Sequence, residues 1–267
     1  MWQLGTVPYL NALPLVEGLH DAPGVELVEE LPSHLAPRLR AGELDLALVS
    51  SVELFRTPRL GWIAGPAITS EGAVRSILLY LRVPARSIRT LALDTSSLSA
   101  AVMSQVCLQT FLELPAPQIL PAPPERSLDD IEGDAILRIG DPALRTQAGS
   151  HEVLDLGSLW TEHTGLPFVY ALWLCRPELD SAKVVPILEA ARVAGLSARH
   201  ALADQFADAH DMDRDSCRHY LDHNIGFTLG ERELEGLATY GRLAHGLGLV
   251  DSGELPPAVG RAGSESA

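Results

Sequence analysis

The chain has 267 residues, 46% hydrophobic and 21% charged, ordinary values for a globular protein and enough sequence for two lobes rather than one core. Its formal net charge is -15 and no run clusters Lys and Arg, which excludes nucleic acid and anionic membranes as partners but leaves room for a small anionic ligand held by local donors. The cysteines, Cys107, Cys175 and Cys217, are scattered and odd in number with no CxxC, which argues against a disulfide framework or a zinc site and for a reducing compartment.

Trp2 to Val7 predicts a short buried strand, followed by a loop from Pro8 to Asn11. Asn11 is placed to cap a short helix with Pro14 in its first turn, where backbone N–H groups lack intrahelical partners. Val25 to Leu31 reads as a second strand, and Ser33 as the N-cap of a helix through Arg40 that ends near Gly42. Leu44 to Val49 is a third strand, with Ser50 and Ser51 directly after it. This alternation predicts a mostly parallel sheet with helices on its faces. Gly65 to Gly72 reads as loop, and Val74 to Val83 as a long strand.

A second unit starts with a strand at Thr90 to Leu93 and a helix from about Ser97 to Leu114. The proline-rich segment Pro115 to Pro124 reads as loop, Asp134 to Ile139 as a strand with a helix after it, Val153 to Leu156 as a short extended piece, and Phe168 to Arg176 as a strand running back out. From Asp180 the pattern turns helical, with Thr228 and Glu231 forming a capping box for the last helix, and Val250 to Ala267 a frayed tail. The expected fold class is α/β, with a lobe of residues 1–84 plus 175–267, a second lobe of residues 85–174, and a ligand cleft between them outside the carboxyl ends of the strands. The first residues hold no basic segment followed by an apolar one, and the longest apolar runs, such as Phe168 to Cys175, are too short to span a bilayer, so the expected location is cytoplasmic.

Short polar groups stand where a strand passes into a helix at Asn11, at Ser50 and Ser51, and at Thr95, Ser96 and Ser97; Gly140 and Asp141 share that position without a hydroxyl. Any one of these serves as a cap, but three in equivalent turns point to a cleft for a carboxylate ligand. Asp94 and Asp141 suit either acid–base work or capping, and Arg75 either a ligand carboxylate or a structural ion pair. Arg138 lies in an apolar strand and requires a partner if buried. His219 and His223 are four apart on a helix, but without HExxH or a third ligand they read as a solvated face, and no metal is expected. No GxGxxG, Walker loop or GxSxG elbow occurs.

Six blocks carry a family resemblance: "VPYLNALPL" (Val7 to Leu15), "GELDLALVSSVE" (Gly42 to Glu53), "VRSILL" (Val74 to Leu79), "LDTSSLSA" (Leu93 to Ala100), "ILRIGDPAL" (Ile136 to Leu144) and "LDLGSLWTEHTGLPFVYALW" (Leu154 to Trp173). In this order they resemble the chorismate dehydratases, which open the futalosine route to menaquinone. Arg138 departs from the pattern, where an apolar residue is expected. The resemblance implies a two-lobed type II periplasmic-binding-protein-like fold, chorismate as the partner, conversion to 3-[(1-carboxyvinyl)oxy]benzoate and water, and no metal or organic cofactor.

Motif position and chemistry together make Asn11 the catalytic candidate. Tyr9, Leu10, Ser50, Ser51, Ser76, Thr95, Ser96, Ser97, Gly140 and Asp141 are the substrate-binding candidates, with Leu13 as a further wall. An amide is a poor base, so Asn11 is expected to donate a hydrogen bond into the cleft, orienting substrate or assisting the departing hydroxyl, and the substrate's own enolpyruvyl carboxylate to take the proton. Three rival readings remain: a solute-binding receptor of the same fold, the related naphthoate synthase of the same route, and the ligand-sensing domain of a transcription regulator. The last would need a DNA-binding segment ahead of the strand at residue 2. Oligomeric state is not legible.

Overall fold

The computed structural model describes residues 1–57, 59–93, 98–123, 125–146 and 148–259. Two sheets are built on one plan. In the first, β1 (Trp2–Thr6) pairs in parallel with β2 (Val25–Glu29) on one side and β3 (Leu46–Ser50) on the other. α1 (Leu13–Val16) and α2 (Pro32–Arg40) lie on the connections. Pro32 takes the first helical position of α2, where its missing N–H removes no intrahelical bond, so Leu31 and not Ser33 stands at the N-cap. The five residues of β3 are all buried, as an interior parallel strand requires.

β4 (Gly61–Ser70) occupies most of the stretch read from sequence as loop. It is an edge strand, where Pro66 removes no ladder bond that the sheet needs. β10 (Phe168–Cys175) inserts between β3 and β4, antiparallel to both, which gives the order β2-β1-β3-β10-β4.

The second sheet repeats the plan in the order β7-β6-β8-β5-β9. Its parallel strands are β6 (Thr90–Leu93), β7 (Gln118–Pro121) and β8 (Ala135–Ile139), and β5 (Ile77–Leu81) lies antiparallel between β8 and β9 (Glu152–Asp155). β7 lies inside the proline-rich segment expected to be loop, again at an edge. β5 is shorter than the strand expected over 74–83, because Arg75 adopts a left-handed φ of 59° and breaks the extension. The chain thus leaves the first sheet after Ser70 and returns at Phe168. Both crossings lie one strand earlier than the lobe limits expected at 84 and 174.

α3 (Glu53–Arg56), α4 (Leu98–Val106), α5 (Gly140–Arg145) and α6 (Leu156–Thr164) follow strands, and α7 (Ser181–His210), α8 (Arg214–His219) and α9 (Glu231–Gly246) form the helical return. α4 runs on into a wider π-type turn at Cys107–Phe111, and α8 does the same at Tyr220–Asn224. The last helix is capped two residues later than expected, where the Gly230 N–H donates to the Glu233 carboxylate at 2.9 Å.

α7 crosses α1 at Gly195, where a Cβ would stand 2.1 Å from the Pro14 carbonyl oxygen; only glycine permits this approach, and it fixes the helix that follows Asn11. The tail expected to fray is packed as far as residue 259. Trp62 Nε1 donates to the Pro256 carbonyl at 2.8 Å, and the Val259 N–H to the Trp62 carbonyl at 2.9 Å. One apolar cluster joins both sheets, and a smaller one around Tyr80, Leu128 and Ile136 fills the far face of the second sheet. Among the described residues no helix is long and apolar enough to cross a membrane.

Candidate functional site

A cleft opens where the two sheets meet. Its walls come from the carboxyl ends of β1, β3 and β8, from the 74–77 crossing, and from the middle of β10. This is where an α/β sheet leaves strand-end donors unsatisfied. The apolar lining includes Leu48, Val49, Ile68, Ile77 and Ile139. The polar lining is Tyr9, Asn11, Ser50, Ser76 and Tyr170, so no described lining side chain is a carboxylate, an imidazole or a cation.

Asn11 does not cap α1. Ala12 stands at that position, and no side chain caps the helix. The Asn11 Nδ2 instead donates to the Tyr220 hydroxyl at 3.2 Å, and that hydroxyl donates to Ser76 Oγ at 2.8 Å. The Asn11 Oδ1 is buried and has no partner among the described residues. Burial holds the Tyr220 phenol above its ordinary range, so it stays protonated at neutral pH. Tyr170 is raised in the same way by burial, and its oxygen lies 2.8 Å from Ser70 Oγ. Gly140 begins α5 with a left-handed φ of 61°; its N–H donates to the Ser76 carbonyl at 2.7 Å, and the ring of Tyr9 lies 3.9 Å from where its Cβ would be.

The structure brings Tyr9, Asn11, Ser50, Ser76 and Gly140 to the cleft wall. Other candidates fall elsewhere. Ser51 is fully buried and turned inward, donating to the Val169 carbonyl at 2.6 Å with Ser99 Oγ at 3.1 Å, so its hydroxyl is occupied by the fold. Leu10 is core, and only its N–H takes part, donating to Asp141 Oδ1 at 3.4 Å. Asp141 lies behind the wall rather than on it; burial pushes its carboxyl up to about 6, against the opposing pull of the Leu10 N–H and the Arg145 charge. Leu13 is half-buried outside the lining. Asp94, Thr95, Ser96 and Ser97 lie outside the described residues.

Arg75 is exposed, and its backbone N–H, not its guanidinium, is held, by Asp155 at 2.7 Å. Buried Arg138 donates to the carbonyls of Pro123 and Arg126, so backbone oxygens are the partners its burial required. His219 and His223 stack with centroids 4.5 Å apart, and among the described residues no three His, Cys, Asp or Glu side chains are grouped to hold a metal ion. Sequence reasoning missed Tyr170 and Tyr220. Tyr170 lies inside a quoted block, whereas Tyr220 is linked to Asn11 and Ser76 only through the fold, 209 and 144 residues away.

A model of the menaquinone biosynthesis family matches residues 2–246. A relative from Thermus thermophilus, named chorismate dehydratase, is 29% identical, over 92% of this chain and 95% of its own. Another of that name from Campylobacter jejuni is 25% identical, over 92% of this chain and 99% of its own. Among solved structures, protein AF1704 from Archaeoglobus fulgidus superposes with a TM-score of 0.74 at 14% identity, covering 93% of this chain and 98% of that one. The periplasmic aliphatic sulphonate binding protein SsuA from Escherichia coli does so at 0.68 and 14%, covering 100% of this chain and 95% of that one. The fold is therefore that of the periplasmic binding proteins, as the two sheets of like topology require. With the family match running from β1 to the end of α9, through every described strand that shapes the cleft, the chain belongs to the menaquinone biosynthesis family.

Proposed function

We propose that the chain is a chorismate dehydratase, a carbon–oxygen lyase that converts chorismate to 3-[(1-carboxyvinyl)oxy]benzoate and water in the cytoplasm. The observation that carries this reading is a cleft whose described polar lining consists only of hydroxyl and amide groups, in a chain of this family. The elimination asks for little else. The C3–H of chorismate is vinylogous to the ring carboxylate, so its removal gives a delocalised dienolate, and loss of the C4 hydroxyl then forms an aromatic ring.

The enolpyruvyl carboxylate of the substrate takes the C3 proton and passes it to the departing hydroxide. Water leaves, the carboxylate is regenerated, and no oxidant or reductant enters. The protein's part is to hold the two carboxylates in a reactive conformation and to place donors where charge develops. Asn11 and Ser76 face the elimination centre, Ser50 and Tyr170 hold a carboxylate, and Tyr9 stacks over the ring. Asp141 is not the base, because its carboxyl lies behind the wall and is held by Leu10. The two sheets form the lobes, and the substrate is enclosed between them.

The test is to incubate the purified protein with chorismate and follow mass and ultraviolet spectrum. Enzyme-dependent loss of one water with a new benzoate chromophore is the expected outcome. Unchanged chorismate that nonetheless raises the melting temperature would make the protein a receptor instead.

A further inference from the structure

We infer that Tyr220 is a positioning residue for the elimination, its hydroxyl fixing the orientation of the Asn11 amide and the Ser76 hydroxyl on the cleft wall. The inference rests on the dehydratase reading above. Three distant segments meet at one phenol oxygen: the loop after β1 brings Asn11, the crossing before β5 brings Ser76, and the turn after α8 brings Tyr220. Tyr220 is itself buried and does not line the cleft, so it acts through its two neighbours.

The direction of the chain matters. Asn11 donates to Tyr220, and Tyr220 donates to Ser76. Ser76 Oγ is therefore an acceptor toward Tyr220, and its own hydrogen is free to point at the substrate. One of the two Nδ2 hydrogens of Asn11 is tied to Tyr220, which sets the amide plane and with it the direction of Oδ1, an acceptor with no partner among the described residues. Beside the cleft, Asn11 and Ser76 thus keep one acceptor and one donor that Tyr220 does not use, the pair that a departing C–O–H group requires. A donor at the end of such a chain is also polarised by the bonds behind it.

The turn that carries Tyr220 is anchored on several sides. Asp222 takes Arg199 and, at 2.7 Å, His200 from α7, and Arg218 pairs with Asp204. Asn224 Nδ2 donates to the Ala73 carbonyl at 2.8 Å, and Gly226 exchanges backbone bonds with Thr69 at 2.8 and 2.9 Å. Residues 220–224 are wound as a π-type turn, a departure from α-helix that recurs where function fixes one side chain.

The test is Tyr220→Phe, which keeps the ring and deletes the hydroxyl, with kcat and KM for chorismate measured beside wild type. We expect kcat to fall about 30-fold with KM changed less than about threefold, since the hydroxyl acts on groups that work after binding. Tyr80→Phe is the control: it removes another buried hydroxyl, one that donates to the Thr146 carbonyl at 3.3 Å away from the cleft, and should leave kcat unchanged. In a Ser76→Ala background the Tyr220→Phe penalty should shrink to about fivefold, because one of its two partners is gone.

A wild-type kcat in Tyr220→Phe, an equal loss in Tyr80→Phe, or an undiminished penalty in the Ser76→Ala background overturns the inference while the dehydratase reading stands. Wild-type protein that leaves chorismate unchanged overturns both. If Tyr220→Phe loses its cooperative melting transition, 3-fluorotyrosine at 220 keeps the ring and hydroxyl but weakens its acceptor strength. A kcat change of about twofold at constant KM then supports the inference, and an unchanged kcat overturns it.

Discussion

The turns after β1 and β3 both end a parallel strand of the first sheet with short polar side chains, and they do opposite things with them. At the β3 turn the Ser51 hydroxyl is occupied by Val169 and Ser99, and the Val52 N–H joins Ser99 at 3.1 Å. At the β1 turn the Asn11 amide has one bond, to Tyr220, and an oxygen with no partner among the described residues. The same contrast separates two carboxylates of the second sheet. Asp155 accepts from the N–H groups of Val74, Arg75 and Ser158 at 3.0, 2.7 and 3.0 Å, whereas Asp141 accepts one long bond from Leu10 at 3.4 Å. A polar group whose bonding capacity the fold has filled is structure; one with capacity left over, at a cleft, is available for chemistry.

The largest test of that contrast exchanges the two turns' side chains for alanine. Asn11→Ala is expected to lower kcat by about 10²- to 10³-fold with the melting temperature barely moved. Ser51→Ala should do the reverse, changing kcat less than about threefold while losing about 1 kcal/mol of stability for its buried bonds. Equal kinetic losses in both would break the comparison.

The carboxylate pair gives the next effect. Asp155→Ala should cost about 3 kcal/mol at neutral pH, since it strands three backbone donors. Asp141 works the other way. Its carboxyl, pushed by burial from 3.8 to about 6, binds a proton more tightly in the native state than in the unfolded chain. Stability is therefore full below the ordinary carboxylate value and falls as pH rises toward 6, by up to about 3 kcal/mol. Asp141→Asn should flatten that fall and melt above wild type at pH 8, as urea midpoints across the pH range would show. The smallest effect belongs to Arg138, which does not line the cleft and, among the described residues, donates to the carbonyls of Pro123 and Arg126. Arg138→Met should change the unfolding free energy from urea titration by no more than about 1 kcal/mol and leave kcat alone, because no carboxylate is left unpaired.

How much of this could be read from residues depends on how local the cause is. β1, β3, β6 and β8 announce themselves by apolar runs bounded by polar turns, and the helical return by its period. β4 was illegible because Gly61, Gly65 and Pro66 punctuate it, and only its place at a sheet edge makes them harmless. The start of β5 has no local signal because Asp155, on another strand, holds the left-handed turn at Arg75. In the candidate site, Asn11, Ser50 and Gly140 stand where a strand passes into a helix, and Ser76 lies in one of the blocks that carry the family resemblance. Ser51 looked identical to Ser50, since which of two adjacent hydroxyls turns inward is decided by β10, more than a hundred residues on. Tyr220 carried no local signal.

The insertion of β10 between β3 and β4 also sets an order of events during synthesis. Until the strand at 168–175 leaves the ribosome, β3 and β4 have no partner on their facing sides, and the Ser51 N–H lacks the Tyr170 carbonyl it finally meets. The second sheet can close from residues 77–155 alone and has no such wait. The lobe made first is therefore completed last, and its open strand edges are the stretch of nascent chain most in need of shielding.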